Sequence, residues 1–223
     1  MSTDFATHAS NTYAKVSKRT GVSSARLYFD VVSAYYTAIR QQVARSQFDQ
    51  TTHSLFDLLD IPDSAKTELK ALLQLPSAMT AAGADQHLEE FVAEILSDTW
   101  FTMHGSQGIA ATQRGTRPGD PLADLLFCLL LSGILGKIEL RSREHQGPTK
   151  LSWDGSKSAA VSLDTTHIEE IFDVSLADDV VILINGVSPQ DLLTKAKAML
   201  GIVVDTFIEH GLKISFEPQK SEA

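Results

Sequence analysis

The chain has 223 residues, 43% hydrophobic and 21% charged, a composition typical of a globular protein with one large domain or a core with an appendage. The net charge of −9 argues against nucleic-acid binding, and the single Cys128 excludes disulfide scaffolds and cysteine-rich zinc sites. No apolar run reaches membrane-spanning length, and the N-terminus lacks the basic and apolar regions of a signal peptide, so we expect an intracellular protein.

The N-terminal part of the chain begins with a polar segment and continues with a buried strand. Residues 1–24 are interpreted as a partly ordered lead-in. Arg26–Val32 is rich in apolar and aromatic side chains and predicts a buried strand that ends in an acid, Asp30. It leads into a helix over about 34–46, and a second helix begins at Pro62–Ser64, with Asp63 or Ser64 as its cap.

The middle of the chain predicts a helix, a hairpin and a long buried helix. Residues 85–99 have apolar side chains at helical spacing. Apolar runs at 100–103 and 109–112 flank a glycine-rich turn and predict a hairpin. Residues 120–141 are apolar along most of their length, which predicts a buried helix with Cys128 in the core.

The C-terminal part of the chain predicts a loop, a second hairpin and a final helix and strand. Residues 147–164 are loop-like, with a turn at 153–155. Beyond the second hairpin, a helix over 189–210 ends at Gly211, and a strand is expected at 212–216. Because strands and helices do not alternate regularly, the pattern favours the α+β class.

The second hairpin has two adjacent acids at its tip. The apolar runs 171–175 and 180–184 flank Leu176-Ala177-Asp178-Asp179. Facing carboxylates repel, so a cation is expected between them, and Mg²⁺ in two-metal sites serves phosphoryl and nucleotidyl transfer. A polar turn without a metal is the alternative interpretation of these four residues alone.

Four segments of the chain together suggest a family. They are an acid after a buried strand at 29–35, a glycine-rich turn before a buried helix at 114–122, the Leu176–Asp179 tip, and the segment 211–222. In order and content they resemble motifs A to D of the reverse transcriptase palm, and most closely those of non-LTR (LINE-type) retrotransposon polymerases. The resemblance covers about residues 27–222.

The resemblance implies a polymerase palm fold. The expected palm is an antiparallel ferredoxin-like sheet packed on helices and spans 25–223, with a finger-like insertion at about 47–114. It would have partial fingers and no thumb. The fingers, thumb or endonuclease of such an enzyme would then come from adjacent sequence. Because most basic residues of the enzyme would lie in those parts, the palm alone would carry the acidic net charge seen here.

The resemblance also implies a catalytic metal site. Asp30, Asp178 and Asp179 would be the catalytic acids. Together with the backbone carbonyl of Val31, they would hold two Mg²⁺ ions, for which Mn²⁺ can substitute. Taken alone, Asp30 could equally be a strand-end cap.

Further residues would contact the substrates if the resemblance holds. Tyr35 would lie under the sugar of the incoming nucleotide and exclude a 2′-hydroxyl. Other nucleotide contacts would come from Arg117, Gly119 and Lys220, and template or primer contacts from Arg114, Gly115 and Leu176. The residues by themselves leave plainer roles open: a core aromatic for Tyr35, a solvated turn for the arginines, and a surface position for Lys220. Tyr36 is expected in the core.

Three positions depart from the family pattern. None of them is a metal ligand, so they bear on the fidelity and efficiency of the expected enzyme. Pro118 replaces the usual glutamine of the second motif and has no side-chain hydrogen bond to offer. Ala123-Asp124 replaces a Ser-Pro pair, and Leu176 replaces the usual Tyr or Phe, which makes the expected primer contact apolar.

Three functions follow from these observations. The first is an RNA-directed DNA polymerase that uses an RNA template, a DNA primer and dNTPs. The second is a catalytically inactive retroelement remnant or interaction module that keeps the palm fold. The third is another metal-dependent nuclease or cyclase, for which the second and fourth motifs have no evident role.

Overall fold

The structure, a computed structural model, describes residues 3–46, 62–102, 104–105, 108–116, 120–144, 149–153, 167–176 and 178–217. These residues form helices and small antiparallel sheets, which confirms the predicted α+β class. The chain divides into two compact units. The first unit is Met1–Ala34 with Ile134–Ala223, and the second is Tyr35–Gly133.

The described part of the chain alternates irregularly between helices and strands. In chain order, these elements are α1 Thr3–Thr20, β1 Ser23–Asp30, α2 Ala34–Thr37, α3 Arg40–Val43, α4 Asp63–Gln74, α5 Ala78–Ala81, α6 Gln86–Leu96, β2 Thr99–Thr102, β3 Ile109–Thr112, α7 Pro121–Ser142, β4 Thr149–Trp153, β5 His167–Ile171, β6 Asp173–Leu176, β7 Asp179–Gly186 and α8 Pro189–Glu209.

The first unit contains a three-stranded antiparallel sheet in the order β1-β7-β6. The β6–β7 hairpin confirms the prediction made from its two apolar runs. Side chains alternate between the two faces of a strand, and one face of this sheet packs on α8. The buried side chains at this interface are Leu27, Phe29, Val180, Ile182, Ile184, Met199, Val203 and Phe207. Each contributes about 1.5–3 kcal/mol when fully buried, so this interface fixes the strands.

Helix α1 covers one end of the opposite face of the sheet. Its Tyr13 is fully buried and packs against Val174 and Leu183. The Tyr13 hydroxyl lies 2.6 Å from the Ile184 carbonyl oxygen and 2.6 Å from Asn185 Oδ1. The sequence analysis did not predict this helix, because its buried face mixes Tyr13 and Val16 with the small polar residues Ser10 and Ser17 and so is only weakly apolar.

The second unit contains short helices, the β2–β3 hairpin and the first part of α7. The hairpin and α6 confirm the sequence predictions, and Asp85 Oδ1 accepts a 2.8 Å hydrogen bond from the Leu88 N–H at the start of α6. The single helix predicted over 34–46 is instead two short helices. The carbonyl of Ala38 accepts from the Gly115 N–H and not from the next helical turn, so the helix is interrupted there.

Helix α6 buries a narrower face than its apolar pattern suggests. Val92 and Leu96 are buried, whereas Leu88 and Phe91 are exposed. The apolar spacing alone groups all of these residues together. Which of them lie inward depends on the helices that α6 contacts, and those contacts are not encoded in the periodicity.

Helix α7 confirms the prediction of a long apolar helix. Asp120 Oδ1 accepts a 3.0 Å hydrogen bond from the Leu122 N–H and caps its first turn, as expected. The prediction that Cys128 lies in the core is wrong, because its side chain is exposed. By length and composition, α7 is apolar enough to cross a membrane, but a core helix meets the same criterion, and 44% of its most apolar stretch is buried.

Two C-terminal predictions need correction. Residues 149–153, expected within a loop, form β4 and pair with β5. This pairing joins residues far apart in the sequence, so local patterns do not indicate it. The strand expected at 212–216 is reduced to a single bridge between Ile214 and Val31. Of the turn predicted at 153–155, the last two residues lie outside the described part of the chain.

Glu209 links α8 to α7 through an ion-pair cluster. Its carboxylate lies 2.8 Å from Lys137 Nζ and 2.9 Å from Arg141 Nη1. The hydrogen bond from Arg141, reinforced by Lys137, lowers the pKa of Glu209 to about 2. Because the Glu209 side chain is 43% exposed, solvent screening keeps the stabilisation at about 1 kcal/mol or less.

This cluster predicts a pH-dependent contribution to stability. A carboxyl whose pKa is lowered on folding stabilises the protein above its unfolded pKa near 4.5, and the contribution is lost as pH falls toward about 2. We therefore expect Glu209→Gln to be less stable than the wild type at pH 7 and equally stable near pH 2. Urea denaturation of both proteins across this range measures the difference. A difference that does not change with pH would contradict the assignment.

Candidate active site

The end of the β1–β7 ladder brings two of the predicted metal ligands together. Asp30, the last residue of β1, is the direct register partner of Asp179, the first residue of β7. Directly opposite residues of an antiparallel pair place their side chains on the same face of the sheet. Asp30 is half-buried and Asp179 is exposed. The two carboxylates therefore share one face at one end of the sheet.

Backbone hydrogen bonds show which kind of pair these acids form. The Ser215 N–H donates to the Asp30 carbonyl at 2.9 Å, and the Val32 N–H donates to the Lys213 carbonyl at 2.8 Å. Both bonds lie on the edge of β1 away from β7. Since the N–H and C=O of one residue point to the same edge of a strand, Asp30 and Asp179 form a non-hydrogen-bonded pair. In such pairs the Cα atoms are only about 4.5 Å apart and the side chains are closest.

The same hydrogen bonds determine where the Val31 carbonyl points. Because the Val32 N–H of the shared peptide group points away from β7, the Val31 C=O points toward the β7 edge. Val31 itself is buried, 3% exposed. Its carbonyl oxygen therefore lies on the side of β1 that faces β7 and the acidic hairpin. The metal-ligand role expected for Val31 needs this orientation.

Asp178 and Leu176 also lie at this end of the sheet. Asp178 is a half-buried turn residue immediately before β7. Leu176, the last residue of β6, is the register partner of Asp179 on the strand's other side. Asp179 is thus flanked by Asp30 on one neighbouring strand and by Leu176 on the other.

The acids lie at the end of the sheet opposite to α1. Helix α1 contacts this face near Leu183 and Asn185, and Arg26 Nη1 donates to Ser10 Oγ at 3.2 Å. In the β1–β7 register, Arg26 and Leu183 lie four positions from the acidic pair, and Val181, which packs against the Tyr13 cluster, lies two positions from it. The acidic end of the face is therefore separated from the part that α1 covers.

The donor chemistry of this cluster fits Mg²⁺. Magnesium takes hard oxygen ligands, and enzymes usually hold it with one or two carboxylates plus substrate phosphates. The adjacent Asp30 and Asp179 carboxylates and the Val31 carbonyl are such ligands. Among the described residues, no three His, Cys, Asp or Glu side chains lie together as a metal-binding group. A cation held at this position would therefore need substrate oxygens to complete its coordination.

The glycine-rich turn of the second motif lies in the second unit and docks on the residues around Tyr35. The Thr116 N–H donates to the Tyr35 carbonyl at 2.8 Å, and the Gly115 N–H donates to the Ala38 carbonyl at 2.9 Å. Gly115 has a φ of 86°, and a Cβ there would lie 2.7 Å from the Tyr35 carbonyl oxygen. Only glycine fits this position. Gly115 thus closely approaches the backbone of Tyr35. Its contact with template or primer stays a prediction.

Arg40 is the residue of this region that sequence reasoning missed. It is 9% exposed, and its guanidinium donates to the Gly115 carbonyl at 2.9 Å and to the Arg114 carbonyl at 3.0 Å. The same group donates to the Leu96 carbonyl at 2.6 Å and to the Thr112 carbonyl at 2.8 Å. It therefore ties α3, the end of α6, β3 and the glycine-rich turn together.

Two threonine hydroxyls also accept hydrogen bonds from Arg40. Its Nη2 donates to Thr99 Oγ1 at 2.8 Å and to Thr112 Oγ1 at 2.9 Å. Most of its acceptors are main-chain carbonyls, which any residue type provides. Arg40 is followed by two glutamines and by Arg45, so the local sequence neither marks it as buried nor identifies its partners.

Tyr35 and Tyr36 occupy different environments. The half-buried Tyr35 ring contacts Phe127 of α7, with centroids 4.9 Å apart. Tyr36, expected in the core, is 68% exposed, so that prediction is wrong. The turn at Gly115 lies close to the backbone of both residues, a contact that their hydrophobicity does not predict.

The remaining residues predicted to contact substrates differ in where the structure places them. The Arg114 side chain is exposed in the second unit, while its carbonyl accepts from Arg40. Arg117, Gly119 and Lys220 lie outside the described residues. Asp30, Val31, Leu176, Asp178 and Asp179 belong to the first unit, and Tyr35, Arg114 and Gly115 to the second.

No protein-family model and no curated protein matches this chain, so the chemistry of these residues is the basis for interpreting the site.

Proposed function

We propose that this chain is the palm of an RNA-directed DNA polymerase, which adds dNTPs to the 3′ hydroxyl of a DNA primer paired to an RNA template. The observation that supports this function most strongly is the narrow Asp30–Asp179 pair with Asp178 beside it. These acids come from two segments about 150 residues apart in the sequence that resemble motifs A and C of the polymerase family. A polymerase palm is one kind of α+β fold, and we propose that the fold described above is of this kind.

The proposed reaction is nucleotidyl transfer. The primer O3′ bonds to the α-phosphorus as the bond between the α-phosphorus and its bridging oxygen to the β-phosphate breaks; pyrophosphate leaves, and the hydroxyl proton is lost to solvent. Asp30, Asp178, Asp179 and the Val31 carbonyl would hold two Mg²⁺ ions, which when bound supply Lewis-acid activation and charge neutralisation. The chain's own contribution is to fix these oxygens on adjacent strand ends before the substrates bind.

Further residues are proposed to take part in nucleotide selection. Tyr35 is proposed to lie under the sugar, and its backbone is held by the Thr116 and Gly115 contacts. The proposed nucleotide contacts of Arg117, Gly119 and Lys220 and the template or primer contacts of Arg114, Gly115 and Leu176 follow from the family resemblance. The net charge of −9 is compatible with this function if adjacent sequence supplies the basic surface that grips nucleic acid.

A catalytically inactive remnant that serves as a binding module is the second candidate. One observation favours it: within the described ranges, no three acidic or other metal-binding side chains form a ready-made group. A remnant would keep the sheet and the acids without using them.

Primer extension distinguishes these two functions. The purified chain is incubated with a primed RNA template, dNTPs and Mg²⁺ or Mn²⁺, with EDTA and ribonucleotides in parallel reactions. The polymerase proposal expects metal-dependent extension with dNTPs and little with ribonucleotides. Absence of extension by a folded sample would favour the remnant.

A further inference from the structure

The segment that follows α8 lies along the outer edge of β1 and brings a lysine next to the acids. Ile214 forms an antiparallel bridge with Val31. The Val32 N–H donates to the Lys213 carbonyl at 2.8 Å, which fixes the register of the two segments. In this register Lys213 lies opposite Val32 and therefore diagonally across from Asp30.

Burial shows that Lys213 and Asp30 lie on the same face. Leu212 and Ile214 are buried, whereas Lys213 between them is exposed. On β1 the partner of Ile214, Val31, is buried in the same way. Because side chains of extended segments alternate between the two faces, Lys213 and Asp30 both lie on the face away from this core. Diagonal neighbours on one face are about 7–8 Å apart, a distance that the flexible lysine stem can span.

Lys213 is the cation that the register places closest to the acids. Of the described residues on this face within two register positions of Asp30, Lys213 alone carries a positive charge. No described carboxylate forms an ion pair with it. The next cation on this face, Arg26, lies four positions away and donates to Ser10 of α1 at 3.2 Å. The ammonium group of Lys213 is thus available to an anionic ligand held at the acids.

The two sides of the acidic pair differ in a way that suits one direction of reaction. Across the sheet, the order of positions is Leu176, Asp179, Asp30 and then the segment of Lys213. In phosphoryl transfer the attacking and leaving oxygens are roughly in line, on opposite sides of the phosphorus. If the primer end lies on the side of Leu176, as the proposed function expects, the leaving pyrophosphate lies on the side of Lys213.

We propose that Lys213 binds the β- and γ-phosphates of the incoming dNTP and then the pyrophosphate that leaves. This inference rests on the proposed polymerase function and adds a residue to it, since the family resemblance assigns a nucleotide contact to Lys220 and not to Lys213. Lysine binds phosphate as a point charge on a flexible stem, which suits a ligand that changes position as its bond breaks.

Pyrophosphate binding tests this contact without turnover. Equilibrium dialysis of the chain against labelled pyrophosphate in Mg²⁺ buffer gives the Kd. Lys213→Gln removes the charge but keeps most of the stem, and it should bind pyrophosphate about tenfold more weakly because a charge-assisted hydrogen bond is lost. Lys213→Arg keeps the charge and should stay within about twofold of the wild type.

Lys197→Gln is the matched control for this measurement. Lys197 is also an exposed lysine of the first unit, but it belongs to α8, which packs on the opposite face of the sheet from the acids. Its replacement makes the same change in net charge and should leave pyrophosphate binding unchanged. Unchanged binding by folded Lys213→Gln, or equal weakening in Lys197→Gln, would overturn the proposal.

Primer extension gives a second readout and separates this proposal from the proposed function. Lys213→Gln should raise the KM for dNTP about tenfold with a smaller change in kcat, because contacts to the β- and γ-phosphates already form in the ground state. A wild type that extends primers, but with the KM and pyrophosphate affinity of Lys213→Gln, would overturn the role of Lys213 alone. A wild type that neither extends primers nor binds pyrophosphate would overturn both proposals.

Discussion

Asparagine in place of Asp30 or Asp178 should lower the rate of primer extension about 1,000-fold. The change keeps the size and hydrogen-bonding shape of the side chain but removes the negative charge that would hold the metal. Loss of metal-based stabilisation of a phosphoryl transition state is worth several kcal/mol, and about 4 kcal/mol corresponds to this factor. Because Asp30 lies opposite Asp179 in a narrow strand pair, either substitution also weakens the attraction for a shared cation.

Two further measurements separate loss of the metal from loss of the fold. Mn²⁺ should raise the melting temperature of the wild type, since a ligand that binds only the folded state stabilises it. Asp30→Asn should melt near the metal-free wild type and show little response to Mn²⁺. Asp63→Asn removes one exposed carboxylate at the start of α4 and serves as the control, with full activity and the full Mn²⁺ response. Equal loss in the control, or activity retained by Asp30→Asn, would contradict the metal-ligand role.

Replacing Arg40 with methionine should lower the free energy of unfolding by about 3–5 kcal/mol. The side chain is buried, and its guanidinium hydrogen-bonds four main-chain carbonyls and two threonine hydroxyls. Methionine fills most of the volume but leaves these acceptors without a donor. A buried polar group that loses its partner is more costly than the same group in water.

Matched arginine variants make this test specific. Arg143→Met removes an arginine whose side chain is 58% exposed and paired with Glu139, and it should cost about 0.5 kcal/mol or less. Arg40→Lys keeps the charge but loses the planar set of five donors, so it should lie between the wild type and Arg40→Met. Urea denaturation followed by circular dichroism measures all three. Equal stability of Arg40→Met and Arg143→Met would contradict the role assigned to Arg40.

The elements that carry the acids could be predicted from the sequence because their signals are local. The strand β1 ends at an acid and the β-branched run of β7 begins at one, so their antiparallel pairing brings Asp30 and Asp179 to the same end. The β6–β7 hairpin and the cap at Asp120 follow from turn and capping preferences that act within a few residues. The hairpin and the cap need no knowledge of distant contacts, whereas the pairing of β1 with β7 joins distant segments and was expected only from the family resemblance.

Other features depend on partners that the sequence pattern does not identify. The acceptors of Arg40 are mostly backbone carbonyls, and β4 pairs with residues from a separate segment. Cys128 lies on an outward part of a helix that is apolar almost all around, so its orientation could not be read from periodicity. Tyr36 is turned outward because the turn at Gly115 packs on the backbone of Tyr35 and Tyr36.

The narrow pairing of Asp30 with Asp179 has a consequence for how this site can change over evolutionary time. A shift of β7 by one residue against β1 would separate the acids, and it would also turn Ile182 from the core to the opposite face. The spacing of the acids is therefore protected by selection for a stable core, even in descendants that no longer need the chemistry. Such descendants would lose function through replacement of one acid at a time, with the neighbouring strand residues and their register retained.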